Sequence, residues 1–405
     1  MLVHWIWLAT RPGLNDRVKY AVLRQFGDAE DVYFADSFDQ VEELSREGLD
    51  ALRDKDLQAA EAVLETCRKQ DIRILTFRDT LYPRRLQNIA DPPLVLYYQG
   101  RLPEFDALPV IAVVGTRHAT AYGLSMARRL GAQIARCGGL VVSGAAAGID
   151  AMAMRGALAA EQPTVGILGC GVDVVYPRKN ADLLEACREN GCLISEFLPG
   201  TEPFKWNFPR RNRLISGLAC GVLVVEAPER SGALITAGLA AEQGRDVFVI
   251  PGNVDVAACA GSNALLREGG IAVRTGWDIL SEYQDRFPDL IHQDQGPVSQ
   301  CPVPEEMPAK VAQKRRLFQK KKPKEDKIPV DNDAQPPYID WNKISASLTA
   351  PQRAIVEQLT DGEKLVDDVI AATGLSSGQV LSELTLLELQ GVLTRLPGRR
   401  ICLKG

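Results

Sequence analysis

The sequence predicts an α/β protein: a doubly wound, mostly parallel sheet with a small helical domain before it and a winged-helix-like domain after it. Three observations predict this. Between residues 105 and 283 short apolar runs alternate with amphipathic stretches at the spacing of βαβ units. Several runs, Gly221 to Val225 among them, are apolar at every position, as strands covered by helices on both faces must be. Small residues and glycine recur where a strand hands over to a helix.

In chain order, the first 75 residues read as helical, with apolar residues at helical spacing over Asp16 to Phe26 and Leu57 to Cys67. Trp5 and Trp7 are expected in the core of that module. Residues 76–104 read as a connector, preceded by a short strand around Ile72 to Leu75. The core, 105–283, carries expected strands at Val110 to Val114, Leu140 to Ser143, Thr164 to Leu168, Leu193 to Glu196, Val222 to Val225, Val247 to Ile250 and Ile271 to Val273. Helices are expected between them, at 122–137, 149–160, 179–190, 210–219, 232–243 and 262–269. Residues 284–345, rich in proline and carrying the basic run Lys314 to Lys322, read as a disordered, solvated linker. Residues 346–405 read as three helices, Gln352 to Leu359, Lys364 to Thr373 and Ser377 to Gln390, with a two-strand ending through Cys402.

Composition narrows the function. At 405 residues the chain has room for two to four domains of roughly 100 to 200 residues. A net charge of -5 argues against coating DNA or an anionic membrane by bulk charge, so any nucleic-acid site must be local. Nine cysteines without a C-x-x-C, several inside apolar runs, read as reduced thiols of a cytoplasmic protein rather than disulfides or a zinc site. With only His4, His118 and His292, histidine-based catalysis and histidine-ligated metals have little to work with. The apolar opening, Met1 to Ala9, is too short to span a bilayer and lacks a basic leader, so no membrane span and no secretion signal are expected.

The strand–helix turns carry the chemistry. Gly115 to Gly123 joins a strand to a helix, where exposed N–H groups and the helix dipole favour an anion, and Arg117 can add a bidentate phosphate contact. Val142 to Asp150 and Leu168 to Arg178 repeat the device, as does Glu226 to Thr236. None completes a known nucleotide fingerprint: Val174 stands where a dinucleotide site needs glycine, no P-loop occurs, and Ser143 lacks the glycines of a nucleophile elbow. Asp150 and Asp173 read as braces of helix starts, and His118 as a surface turn residue. The densest positive cluster interleaves Lys205, Arg210, Arg211 and Arg213 with Phe204, Trp206 and Phe208, which suits holding phosphates while rings stack on exposed bases. Four such turns at one sheet edge predict an extended polyanion site.

These residues resemble the DNA-processing protein A (DprA/Smf) family. The likeness rests on Tyr82-Pro83, Asp91 to Pro93, Val114 to Arg117, Ser143-Gly144 with Gly148 to Asp150, Gly169 to Asp173 with Tyr176 to Arg178, Phe208 to Arg213, Ser231 to Thr236, and Pro251-Gly252. It covers about 70–283 in order. The resemblance implies an extended Rossmann-like core, a SAM-like N-terminal module, sequence-independent binding of single-stranded DNA, homodimerisation, and loading of RecA recombinase onto incoming strands in natural transformation. It implies no catalysis, cofactor or metal. By motif, Arg117, Lys205, Phe208 and Arg178 are the main expected contacts, within a wider set of Gly115, Thr116, Ser143, Gly144, Arg210, Arg211, Asn212, Arg213, Ser231, Gly232 and Thr236. The N-terminal segment Pro12 to Asp16 departs from the glycine-rich turn common in the family, and no motif marks a RecA-contact surface.

Two other readings compete. The core also resembles nucleotide phosphoribohydrolases of the lysine-decarboxylase-like family, but Leu239 stands where their catalytic glutamate follows the threonine equivalent to Thr236. A duplex-binding regulator would use the C-terminal module, yet its expected recognition helix, Ser376 to Gln390, has Glu383 and Glu388 and no lysine or arginine.

Overall fold

The computed structural model describes residues 1–41, 44–293, 349–359, 364–376, 379–380, 383–384, 387, 393–396 and 400–403. The chain divides into two compact units, Met1–Val303 and Pro304–Gly405. The expected linker falls for the most part outside the described residues.

The first unit is a nine-stranded sheet in the order β1-β2-β6-β5-β4-β3-β7-β8-β9. Its parallel centre comprises β3 (Val110–Val114), β4 (Leu140–Ser143), β5 (Thr164–Ile167), β6 (Cys192–Ser195), β7 (Gly221–Val224), β8 (Asp246–Val249) and β9 (Ile271–Ala272). Strands β3 to β7 are buried throughout, which is why they read as unbroken apolar runs. One face of the sheet packs Ile111, Val113, Leu223 and Phe248 against helix α7 (Ala121–Arg136) and helix α8 (Ile149–Ala159). The other packs Val110, Val142, Val222 and Val224 against helix α10 (Asn207–Leu218) and helix α11 (Gly232–Glu242). Each such side chain taken from water contributes about 1.5–3 kcal/mol.

Three features differ from the sequence expectation. The segment expected as a connector contains β2 (Val95–Gly100), which pairs antiparallel with β6 and carries β1 (Arg73–Thr76) on its outer edge. The N-terminal helices share one apolar cluster with the sheet: Trp7 and Val22 belong with Tyr97, Leu184 and Leu193. They form an added layer on the core. Finally, Tyr283, Phe287 and Ile291 are buried against Ile134 and Phe248, so the ordered core runs past 283.

The second unit has a helix over Ala350–Gln358, opened by a capping box between Thr349 and Gln352, and a helix over Val366–Thr373, closed by Gly374 in the left-handed conformation. Strands β10 (Lys364–Leu365), β11 (Leu393–Leu396) and β12 (Arg400–Leu403) form an antiparallel sheet in the order β10-β12-β11. The expected helix at Lys364 thus begins two residues later, after a third strand. Val380, Leu384 and Leu387 are buried at helical spacing, while the remainder of the expected third helix lies in part outside the described residues. Among the described residues no helix is long and apolar enough to cross a membrane.

Candidate nucleic-acid interface

The winding of the sheet creates a crevice. From β3 the chain runs through α7 to β4 on one side, whereas β7, the other neighbour of β3, is reached from β6 through α10. Turns leaving the carboxyl ends of β3 and β7 therefore part, which is where open α/β sheets hold ligands. The two turns are tied at their base. Thr116 N–H donates to the Glu226 carbonyl at 2.8 Å, and the buried Glu226 carboxylate accepts from Thr120 N–H and Thr120 Oγ1, each at 2.8 Å. Gly115 has no room for a side chain, since a Cβ there would lie 2.5 Å from Ile149 Cγ1. Gly148, at φ +81° and against the Thr116 carbonyl, brings the turn after β4 up beside the first.

Above this base lies an open cleft of about 620 Å³. Arg117, Lys205 and Arg230 are exposed on its walls, and none forms an ion pair with another described residue. Phe208, half-buried in the first turn of α10, supplies an apolar wall. The Arg117 guanidinium carbon is 5.2 Å from its ring centroid, and the Tyr176 ring centroid is 5.5 Å away, tilted by 37°. At the far wall α11 begins: the Ser231 hydroxyl accepts the Ala233 N–H at 3.3 Å, and Gly232 is exposed with open space where a Cβ would point. Asn212 and Thr236 both donate to the Gly232 carbonyl at 3.3 Å, holding that helix start from behind.

Of the expected residues, Gly115, Thr116, Arg117, Lys205, Phe208, Arg211, Asn212, Ser231, Gly232 and Thr236 come together around this cleft. The others do not. Ser143 is fully buried and donates to the Val113 carbonyl at 2.6 Å, and the buried Gly144 N–H donates to Asp150 at 3.1 Å. Both brace the turn from inside, which corrects their expected role as DNA contacts. Arg211 is likewise internal: it donates to the carbonyls of Gly144, at 2.9 Å, and Ile167. Burial pulls its guanidinium down to about 10, with Asp150 opposing, so it keeps its charge at neutral pH.

Arg213 is buried among Glu196 at 2.6 Å, Asp91 at 2.9 Å and Asp16 at 3.1 Å. Burial works against its charge, and the three carboxylates outweigh burial and raise its pKa. Arg210 pairs with Asp16 at 2.6 Å and Glu196 at 3.5 Å. Both arginines therefore fasten α10 to helix α2 (Asp16–Phe26), and neither lines the cleft. Arg178 is exposed, beyond the cleft wall, just after the cis peptide between Tyr176 and Pro177. Both aspartates hold loop N–H groups rather than the expected helix starts: Asp150 accepts from Gly144 at 3.1 Å in the turn after β4, and Asp173 from Gly200 at 2.9 Å.

Sequence reasoning passed over Arg230 and Tyr176, although both sit in turns it singled out. A signal was present. Phe208, Arg211, Asn212 and Ile215 follow helical spacing and line the cleft, whereas Arg210 and Arg213 fall on another face of the same helix.

The fold and cleft define a Rossmann-like α/β protein with an open, cation-walled, ring-bearing crevice at its switch point. The model of the DNA recombination-mediator protein A family matches residues 73–284, and that of the DprA winged helix domain matches 342–399. The chain belongs to the DNA recombination-mediator protein A family. It is 34% identical over 356 residues to Protein Smf of Synechocystis, covering 83% of this chain and 81% of the relative. To the DNA processing protein DprA of Bacillus subtilis it is 40% identical over 224 residues, 55% of this chain and 75% of the relative. The solved structure of DNA processing protein A from Streptococcus pneumoniae superposes with a TM-score of 0.60 at 31% identity, covering 70% of this chain and 98% of that one.

Proposed function

We propose that this chain binds single-stranded DNA without sequence preference, as a homodimer in the cytoplasm, and that it shields incoming strands in natural transformation and loads RecA recombinase onto them. One observation carries the reading: Arg117 lies over Phe208 in a cleft whose other exposed cations, Lys205 and Arg230, are free of ion pairs among the described residues. The cations suit phosphates, and the ring suits a base that is not already stacked in a duplex. Membership in a family described as recombination mediators supports the same reading. We further propose that the protein does no covalent chemistry. Leu239 occupies the position of the hydrolase glutamate, and burial pushes the nearby Cys170 thiol up to about 11, far from a nucleophilic thiolate.

Fluorescence anisotropy of an oligo-dT strand and the matching dA·dT duplex across a salt series tests the binding. The single strand is expected to bind more tightly than the duplex, with a log–log salt slope of about -0.7 per phosphate contacted. Arg117→Ala should weaken it at least about tenfold. Single-strand binding that is absent at low salt sinks the reading. RecA filament growth on a strand already covered by a single-strand-binding protein tests the loading step, which should speed up with wild type and not with Arg117→Ala. Sedimentation tests the dimer.

A further inference from the structure

Immediately before α10 stands a feature the cleft does not use. Phe204 and Trp206 are exposed, 41% and 70% respectively, and their rings stack in parallel at 4.7 Å with 4° between planes. This chain buries Trp5 and Trp7 almost completely, so leaving Trp206 in water forgoes hydrophobic stabilisation it obtains elsewhere. The segment is held in place: Phe204 N–H donates to the Glu202 carbonyl at 2.9 Å, and Asn207 N–H to the Phe204 carbonyl at 3.0 Å. Lys205, between the two rings in sequence, is exposed and lines the cleft, while Trp206 does not line it. Residues two apart at a helix start project about 200° from one another, which sets Trp206 away from Phe208.

Resting on the single-strand reading above, we propose that the Phe204–Trp206 pair is a second stacking platform, outside the cleft, for a base of the strand as it leaves over Lys205. The pair already presents one flat face of Trp206 ordered by Phe204, so a base adds to a stack rather than ordering a lone ring. Continuity with the cleft through Lys205 selects a nucleic-acid strand as the occupant, since a phosphate on that lysine places its neighbouring base beyond the rim.

The test titrates oligo-dT of about 4 to about 20 nucleotides against wild type, Trp206→Ala, Trp206→Phe and Arg117→Ala, reading anisotropy and tryptophan fluorescence. Trp206→Ala should bind the longest strand about tenfold more weakly and the shortest strand that binds wild type within twofold, about the loss of one stacked base. Trp206→Phe should keep most of the affinity while losing the quenching that the long strand causes in wild type. Unchanged affinity of Trp206→Ala for long strands, with Arg117→Ala impaired, overturns the platform and leaves the cleft standing. Equal loss on short and long strands places Trp206 inside the first site and also overturns it. A changed sedimentation mass with unchanged DNA affinity makes the pair a protein contact instead. No strand binding by wild type removes the single-strand reading and the platform with it.

Discussion

Arg213 and Arg117 are the same side chain put to opposite uses. Arg213 is buried on the face of α10 turned to the N-terminal helices, among Asp16, Asp91 and Glu196. Arg117 stands exposed at the cleft with an aromatic ring for company and no described carboxylate paired to it. A guanidinium surrounded by three carboxylates cannot also hold a phosphate without abandoning them. The comparison therefore divides the basic cluster into cations that fasten the helix carrying Phe208 and cations left open to a ligand, and it makes the N-terminal layer part of how the site is positioned.

The strongest way to break this division is Arg213→Ala. The Glu196 side chain, only 3% exposed, would keep only the half-exposed Arg210, at 3.5 Å, for its buried charge, a loss of about 3 kcal/mol, the low end for a broken buried pair. Urea unfolding should show a lower midpoint, whereas Arg117→Ala should leave it within about 0.5 kcal/mol of wild type. An Arg213 variant with wild-type stability and weak DNA binding would place that arginine with the ligand-facing group.

Arg230→Ala sharpens the other side of the division. The arginine is exposed at the cleft in the turn after β7, and no ion pair among the described residues needs it for folding. Its removal should reduce the magnitude of the single-strand salt slope by about 0.7 and cost about 1 kcal/mol of affinity at moderate salt, with no change in the unfolding midpoint. A slope that does not move would show that the strand bypasses the turn after β7.

The fold was legible where burial is symmetric. Strands such as Val110–Val114 and Gly221–Val224 have both faces covered, so every position is apolar and the run stands out from its flanks. Strand β2 was not, because Val95–Gly100 is polar at one end and follows two prolines, so its pairing with β6 rests on a distant partner that no local pattern announces. The same reason hid the N-terminal layer's dependence on the sheet: Trp7 reads as the core of a small module, and only the fold shows it sharing a cluster with Tyr97. At the site, the turns were legible from glycine and small residues, but the duties of neighbouring arginines were not. Asp16 lies 197 residues from Arg213 in sequence, and composition alone cannot say which of two basic residues it neutralises.

Arg210 is the residue on which the division can be tested most finely, and its expected effect is the smallest. It is 49% exposed yet contacts Asp16 at 2.6 Å, so it stands between the buried group and the open one. Exposed pairs of this kind are worth about 0.2–1 kcal/mol, because water screens the attraction and two side chains must be held still. A double-mutant cycle of Arg210→Ala and Asp16→Ala should therefore return a coupling in that range, with Arg213 keeping the shared carboxylate occupied in the single Arg210 variant. Single-strand affinity should fall less than twofold. A larger fall, together with a coupling to Asp16 that vanishes when DNA is present, would mean that the strand draws Arg210 off its carboxylate. The N-terminal helix would then compete with the ligand for one cation instead of only holding α10 in place.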